Sequence, residues 1–299
     1  MGRLMDPGEA PLLCFGGPYS NRQALDALLA EAARRGIPPA RMLCTGDVVA
    51  YCADPAATLD RMIAAGIPTV MGNCEESLAA GGEDCGCGFE EGTACDLLSR
   101  GWFAHASRQV TPAQRAWMGA LPRRIELRIG GRRLMAIHGG AASINRFLFA
   151  SAPDAVLAEE IAATGAEGVI AGHSGIPFTR LVGGRLCQDA LWHNAGAIGM
   201  PAHDGTPRVW FSLLTPEAGG LRIEHHALDY DHAAAARAMR AAGLAEGYAA
   251  ALEGGIWPSE DVLPPEERAG RGQPLDLRPV LWASPRRQGA STSTSVPAS

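Results

Sequence analysis

The stretch PLLCFGGPYSNRQALDALLAEAARRGIPPARMLCTGD, residues 11–47, holds an apolar run, a helical repeat and a second apolar run, in that order. Residues 11–16 have the length and character of a short buried strand. Leu25, Leu28, Leu29 and Ala32 then recur at the spacing that puts them on one face of a helix. Asn21 is a capping residue at its start and Gly36 a stop at its end, so the helix is predicted over Asn21–Arg35. A second strand is expected over Arg41–Thr45. Further out, a helix near Ala56–Ala65 and a strand at Pro68–Met71 extend the pattern. Strand, helix, strand, helix, strand at this spacing reads as α/β with parallel pairing.

Beyond Met71 the pattern changes. Residues 74–95 are rich in Gly, Cys and acids with little periodicity, and read as an inserted loop. A helix near Pro112–Ala120 follows. Three Gly-Gly pairs, Gly130-Gly131, Gly183-Gly184 and Gly219-Gly220, each separate two apolar runs. Gly tolerates positive φ, so each pair suits a tight hairpin turn. The C-terminal half is therefore expected to be mostly antiparallel, with a helix at Pro153–Ala163 and an Ala-rich helical region over His232–Leu252. Residues 11–252 read as one domain with the Cys-rich insertion 74–95. Residues 264–299, rich in Pro, Arg, Ser and Thr, read as a disordered tail.

Bulk composition narrows the function. A chain of 299 residues can bury a large core. The net charge of −6, with scattered Arg and no Lys, offers no basic patch for nucleic acid. No apolar run reaches the ~18 residues that span a bilayer, and Met1–Ala10 lacks the apolar segment of a signal peptide. A cytoplasmic protein with no membrane or nucleic-acid partner is expected. Its eight cysteines would then be mostly reduced.

Four segments share one form, an apolar strand ending in Gly or Ile and then a polar residue able to bind metal. They are Thr45-Gly46-Asp47, Met71-Gly72-Asn73, Ile137-His138-Gly139 and Ala171-Gly172-His173. In an open α/β sheet, residues just past the strand ends converge on one crevice. Asp47, Asn73, His138 and His173 form a nitrogen and oxygen ligand set suited to a divalent first-row metal such as Mn, Fe or Zn. Each alone could equally be a satisfied strand-end polar group.

The order Gly-Asp, Gly-Asn, His-Gly, Gly-His, followed by Asn194-Ala195-Gly196-Ala197-Ile198-Gly199-Met200-Pro201, resembles the calcineurin-like metallophosphoesterases of the small bacterial type. The resemblance runs from about Leu12 to Leu252. It implies a four-layer α/β/β/α sandwich with a two-metal site at its edge. By it, Asp47 is a bridging carboxylate, and Asn73, His138 and His173 complete the shell of one ion. Asp47, Asn73 and His138 are then the expected catalytic residues, and Asn194 and Tyr19 the expected substrate contacts.

The departures are as specific. Where the family has Asp-x-His after its first strand, this chain has Gly17-Pro18-Tyr19. Where the family has Gly-His-x-His, it has Gly172-His173-Ser174-Gly175. The other ion's own ligands are thus missing, and one retained metal site is expected. Gly72-Asn73-Cys74-Glu75 replaces the family's Gly-Asn-His-acid, so a thiol stands where an imidazole assists the leaving group. With a thiol pKa near ~8.5, Cys74 is no simple substitute.

Cys74, Cys85, Cys87 and Cys95 lie close in sequence within the insertion. Four thiolates could hold Zn²⁺ or an iron–sulfur cluster. Unconnected thiols or a local disulfide are the alternative. Cys14 and Cys44, inside strands, read as core. His193 could replace a lost ligand or be buried elsewhere; His225 and His226 face opposite sides of a strand; Arg146 could meet a phosphate or only water. Two functions stay open. The first is a metal-dependent phosphoesterase acting on a small phosphorylated substrate with atypical catalytic residues. The second is a non-hydrolytic metal-binding or redox-sensing protein on the same fold. Mononuclear iron chemistry ranks behind both.

Overall fold

The computed structural model describes residues 3–183 and 189–284. The first run, in chain order, is β1 (Arg3–Gly8), β2 (Leu12–Phe15), α1 (Arg22–Arg34), β3 (Met42–Cys44), α2 (Pro55–Ala65), α3 (Asn73–Ala80), α4 (Ala94–Gln109) and α5 (Pro112–Gly119). Then come β4 (Ile125–Ile129), β5 (Arg132–Ala136), α6 (Asp154–Thr164), β6 (Gly168–Ala171), β7 (Phe178–Gly183), β8 (Asp189–Asn194), β9 (Val209–Glu217) and β10 (Gly220–Leu228). Last are α7 (His232–Ala241), α8 (Glu246–Gly254), α9 (Pro265–Ala269) and β11 (Val280–Ala283).

The strands form two sheets, ordered β1-β4-β5-β6-β8-β7 and β11-β10-β9-β2-β3. Strand alternation explains how the sheets stack. In β2, Leu12 and Cys14 face the other sheet, where they join Leu127, Leu134, Ile170 and Leu191. Leu13 and Phe15 face the opposite way, against Leu25 and Leu28 of α1 and Leu59 and Met62 of α2. On the far side of the six-stranded sheet, Val169 and Trp192 pack on Leu157 and Ile161 of α6. The result is the expected α/β/β/α sandwich. In α1, the Asn21 side chain caps the helix by accepting from the Ala24 N–H.

Several local expectations are corrected. The segment at 68–71 pairs with β3 only through an isolated bridge, Cys44 to Thr69. Residues 74–95 are not all loop, since α3 takes the first of them and α4 begins at Ala94. Gly130-Gly131 does turn β4 into β5. At the third pair Glu217 faces Gly220, so the turn is Ala218-Gly219 and Gly220 belongs to the strand. β7 and β8 pair antiparallel as expected, but Gly184 lies outside the described residues.

The tail is corrected most. Residues 264–284 carry α9 and β11, and β11 extends the five-stranded sheet against β10. Its anchor is Trp282, which is buried between the sheets, donates its indole N–H to the Asp189 carbonyl and lies under the Arg132 guanidinium. Composition misses this because one buried Trp supplies more apolar area than the polar residues around it suggest. Residues 285–299 of that tail lie outside the described residues. No helix among the described residues is long and apolar enough to cross a membrane.

Candidate metal centre

The polar strand-end residues meet. Asp47 follows β3, Asn73 opens α3, His138 follows β5 and His173 follows β6. One donor atom from each of Asp47, His138 and His173 lies within 4.8 Å of the others, and all three residues are buried. His138 Nε2 stands 3.2 Å from Asp47 Oδ2, 3.0 Å from Asn73 Oδ1 and 3.1 Å from His173 Nδ1.

The protons in this cluster are settled by its outer partners. His138 Nδ1 is 2.6 Å from the Thr45 carbonyl, which can only accept, so Nδ1 carries the proton and the neutral ring turns its Nε2 lone pair inward. Asn73 donates through Nδ2 to the Cys85 carbonyl at 2.9 Å, so its Oδ1 also turns inward. The acceptor atoms Asp47 Oδ2 and Asn73 Oδ1 and the neutral His138 Nε2 therefore face one point, with His173 Nδ1 beside them. A single added proton can satisfy only one such contact, whereas a divalent cation satisfies all of them at once. The residues fit a metal on this ground. His173 Nε2, buried with no hydrogen-bond partner among the described residues, shows that protein groups alone leave this ring unsatisfied.

Burial alone would raise the Asp47 pKa, but His138 and His173 outweigh it and hold the carboxyl below its usual range. His138 is lowered by burial and raised more by Asp47, so its net shift is upward, and a bound cation would displace the proton this favours on Nε2. Burial and the neighbouring His138 push His173 down to about 3, which keeps that ring neutral and able to ligate.

The loops are held by a residue to which the sequence assigns no role. Glu75, fully buried, accepts from the Asp47 and Gly72 N–H groups at 2.8 and 3.0 Å and from the Val49 N–H at 3.2 Å. It ties the loop after β3 to the start of α3. Burial and the nearby Asp47 push its pKa up to about 7. Gly72 is required here because a Cβ would stand 2.2 Å from Asp47 Oδ1. Asp47 and His173 themselves sit at positive φ, 54° and 62°. Left-handed backbone at non-Gly residues is unfavourable and clusters at functional sites.

Comparison with known proteins bears on the fold. No protein-family model matches the chain, and no curated protein matches it. Solved structures do. A metallophosphoesterase from Sphaerobacter thermophilus aligns with a TM-score of 0.63 at 21% identity, covering 82% of this chain and 99% of that one. A hypothetical protein from Pyrococcus horikoshii OT3 aligns with a TM-score of 0.68 at 14% identity, covering 83% and 99%. The chain shares the fold of these two structures. The four residues brought together here are the ones the sequence resemblance assigns to one ion.

Other expected site residues fall elsewhere. The four cysteines do not converge: Cys85 and Cys87 form a disulfide, while Cys74 and Cys95 are free. Among the described residues, no group of three or more cysteines shares an ion-sized space. Cys95 belongs instead to the C-terminal segment, its N–H donating to Asp261. A four-cysteine zinc or iron–sulfur site has no support among the described residues. The physical reason is that Cys95 opens the separate helix α4, while Cys74 is buried on α3 beside Asp47.

Asn194 is corrected from substrate contact to positioning residue. Its amide donates to the Gly172 carbonyl and Ser174 Oγ, both at 2.8 Å, and its oxygen accepts from the Gly196 N–H. These bonds hold the turn that carries His173. His193 lies between the sheets, hydrogen-bonded to Thr179 and Ser212. Arg146 pairs with Glu160. Beside His173 is a cavity of about 70 Å³ walled by Tyr19, Tyr51, Phe89, Phe147 and Trp257. Trp257 lies beyond the expected domain end, and its indole N–H donates to the Pro201 carbonyl.

Proposed function

We propose that this protein is a metal-dependent phosphoesterase working with one divalent ion, Mn, Fe or Zn, held by Asp47, Asn73, His138 and His173. The observation that carries the reading is the convergence of the Asp47, Asn73 and His173 acceptors on the inward lone pair of His138 Nε2. An ion bound there supplies Lewis-acid neutralisation of a phosphoryl oxygen and a lowered water pKa. Glu75 and Asn194 keep the ligand loops in register, and Phe147, its ring centroid 4.1 Å from that of His173, shields the ligand from water.

Cys74 shapes the chemistry further. Burial, and then Asp47 and Glu75, raise its thiol pKa well above the ordinary value. It keeps its proton, adds no negative charge and is a weak acid towards a departing alkoxide. The substrates that suit such a site have leaving groups stable without protonation. The test is Mn²⁺-dependent hydrolysis of bis-p-nitrophenyl phosphate by the full chain. Asp47→Asn should lower kcat/KM by at least about 100-fold, in line with loss of a direct ligand. Equal turnover in the two proteins would sink the reading.

A second reading, a non-hydrolytic metal-binding redox sensor, is favoured by one contact. The Asn73 amide that fixes a ligand oxygen also donates to Cys87 Sγ at 3.3 Å. Metal affinity that shifts on thiol reduction, in a protein with no turnover, would select it. The free thiols Cys14, Cys44, Cys52, Cys74 and Cys95 support a reducing compartment such as the cytoplasm.

A further inference from the structure

The residues that replace the missing ligands are in contact with one another. A Cβ on Gly17 would stand 2.2 to 2.7 Å from three atoms of the Tyr19 ring, and a Cβ on Gly175 would stand 3.6 Å from the Tyr19 hydroxyl. A Cβ on Gly199 would meet Tyr19 Cβ at 2.5 Å. The phenol thus fills the space between the loop after β2 and the turn after β6. By the sequence resemblance, these are the two places that would carry a second ion's own ligands.

Tyr19 is clamped in that position. Its backbone N–H donates to the Asp47 carbonyl at 3.2 Å, its carbonyl accepts from the Cys52 N–H, and the Ser20 N–H donates to the Val48 carbonyl. Tyr19 and Ser20 both hold positive φ, 50° and 58°, a conformation kept only where surroundings enforce it. The Tyr51 ring meets Tyr19 edge-on at 4.9 Å. The ring is buried, yet it lines the cavity beside His173, Ser174 and Gly175, whose walls contain no Arg or Lys.

We propose that Tyr19 stands in for the second metal ion: its ring occupies that ion's volume, and its hydroxyl donates a hydrogen bond to a phosphoryl oxygen of the bound ligand. This rests on the phosphoesterase reading for what the ligand is. The phenol keeps its proton throughout, so no bond is made or broken at Tyr19. The site is then mononuclear by construction. A neutral donor supplies direction and a hydrogen bond without the second positive charge, so the crevice suits a singly charged phosphodiester better than a doubly charged monoester.

Two measurements on the full chain test this. Calorimetric titration of metal-free protein with Mn²⁺, corrected with the Asp47→Asn variant, counts the ions. One equivalent is expected for the wild type and for Tyr19→Phe, and two for Tyr19→Asp, which opens the volume and adds a carboxylate. Two equivalents in the wild type overturn the proposal, and that count decides even if Tyr19→Asp fails to fold. Inorganic phosphate is then titrated into the Mn²⁺-loaded proteins. Tyr19→Phe, which removes only the hydroxyl, should weaken binding by about tenfold, the worth of a hydrogen bond to a charged group. Equal affinity, or no phosphate binding by the wild type, overturns the donor role. A protein that gives the expected counts and affinities but hydrolyses nothing loses the phosphoesterase reading and keeps the tyrosine assignment. Hydrolysis with two ions bound does the reverse.

Discussion

The strand-end crevice and the cysteine insertion look alike as sequence. Each offers four side chains able to bind metal, set among glycines. In the folded chain the crevice brings Asp47, Asn73 and His173 to within hydrogen-bond distance of His138 Nε2, while the four thiols of the insertion share no ion-sized space. What separates them is the scaffold beneath. The crevice ligands follow strands β3, β5 and β6 or open a helix at a fixed junction, so two packed sheets set their spacing. The cysteines sit on α3, on a loop tied to α3 through Asn73, and on α4, where the Cys95 N–H turns to Asp261 instead. Ligand residues close in sequence make a site only when rigid elements aim them at one point.

The contrast can be broken most directly by removing a crevice ligand. His138→Ala should weaken Mn²⁺ binding by more than about 100-fold, measured by calorimetry. A smaller loss would mean that the ion sits elsewhere, with the cysteines the first place to look.

The next effect concerns stability against pH. The Glu75 pKa is raised in the fold to about 7, so the native state holds a proton that the unfolded chain releases at lower pH. The Glu75 contribution to the stability of metal-free protein should therefore fall as pH rises from the ordinary glutamate range to about 7, on the order of 3 kcal/mol in all, against the opposite contribution of His173 over much of the same range. Glu75→Gln should flatten that slope in urea titrations. An unchanged slope would show that another group carries it.

Gly72→Ala sharpens the comparison from the backbone side. Its Cβ collides with the Asp47 carboxylate, so a loss of about 2 kcal/mol is expected in thermal or urea unfolding, together with weaker metal binding. The same change at Gly92 in the insertion, where a Cβ meets nothing within 4 Å but φ is 81°, should cost less and leave metal binding alone.

The smallest effect is expected at the cysteines. Replacing Cys85, Cys87 and Cys95 together by Ser should change the metal content of purified protein by less than about twofold, because these thiols do not converge on an ion. Loss of a full equivalent of zinc or iron would overturn the separation of the two regions.

Much of the fold was legible in the chain itself. The period of Leu25, Leu28 and Leu29, the cap at Asn21 and the glycine turn between β4 and β5 depend on neighbours a few residues away, and local stereochemistry decides them. The Gly-Asp, Gly-Asn, His-Gly and Gly-His segments were legible for the same reason, since strand length and the following turn are local properties. The four-layer stacking was reached through the resemblance those motifs carry.

Tertiary structure alone decided the rest. Trp282 enters the core through pairing with a strand some sixty residues earlier in the chain. Asn194 spends its amide on a turn twenty residues away. Glu75 binds backbone groups of a loop it follows by nearly thirty residues. The Tyr19 ring fills a space that exists only because Gly17, Gly175 and Gly199 meet there. Each of these depends on which distant groups share a volume, and burial turns such contacts into commitments, because a buried polar group or cavity must be matched by whatever the fold brings next to it. Sequence spacing carries no record of those volumes, which come into being only when the two sheets close on each other.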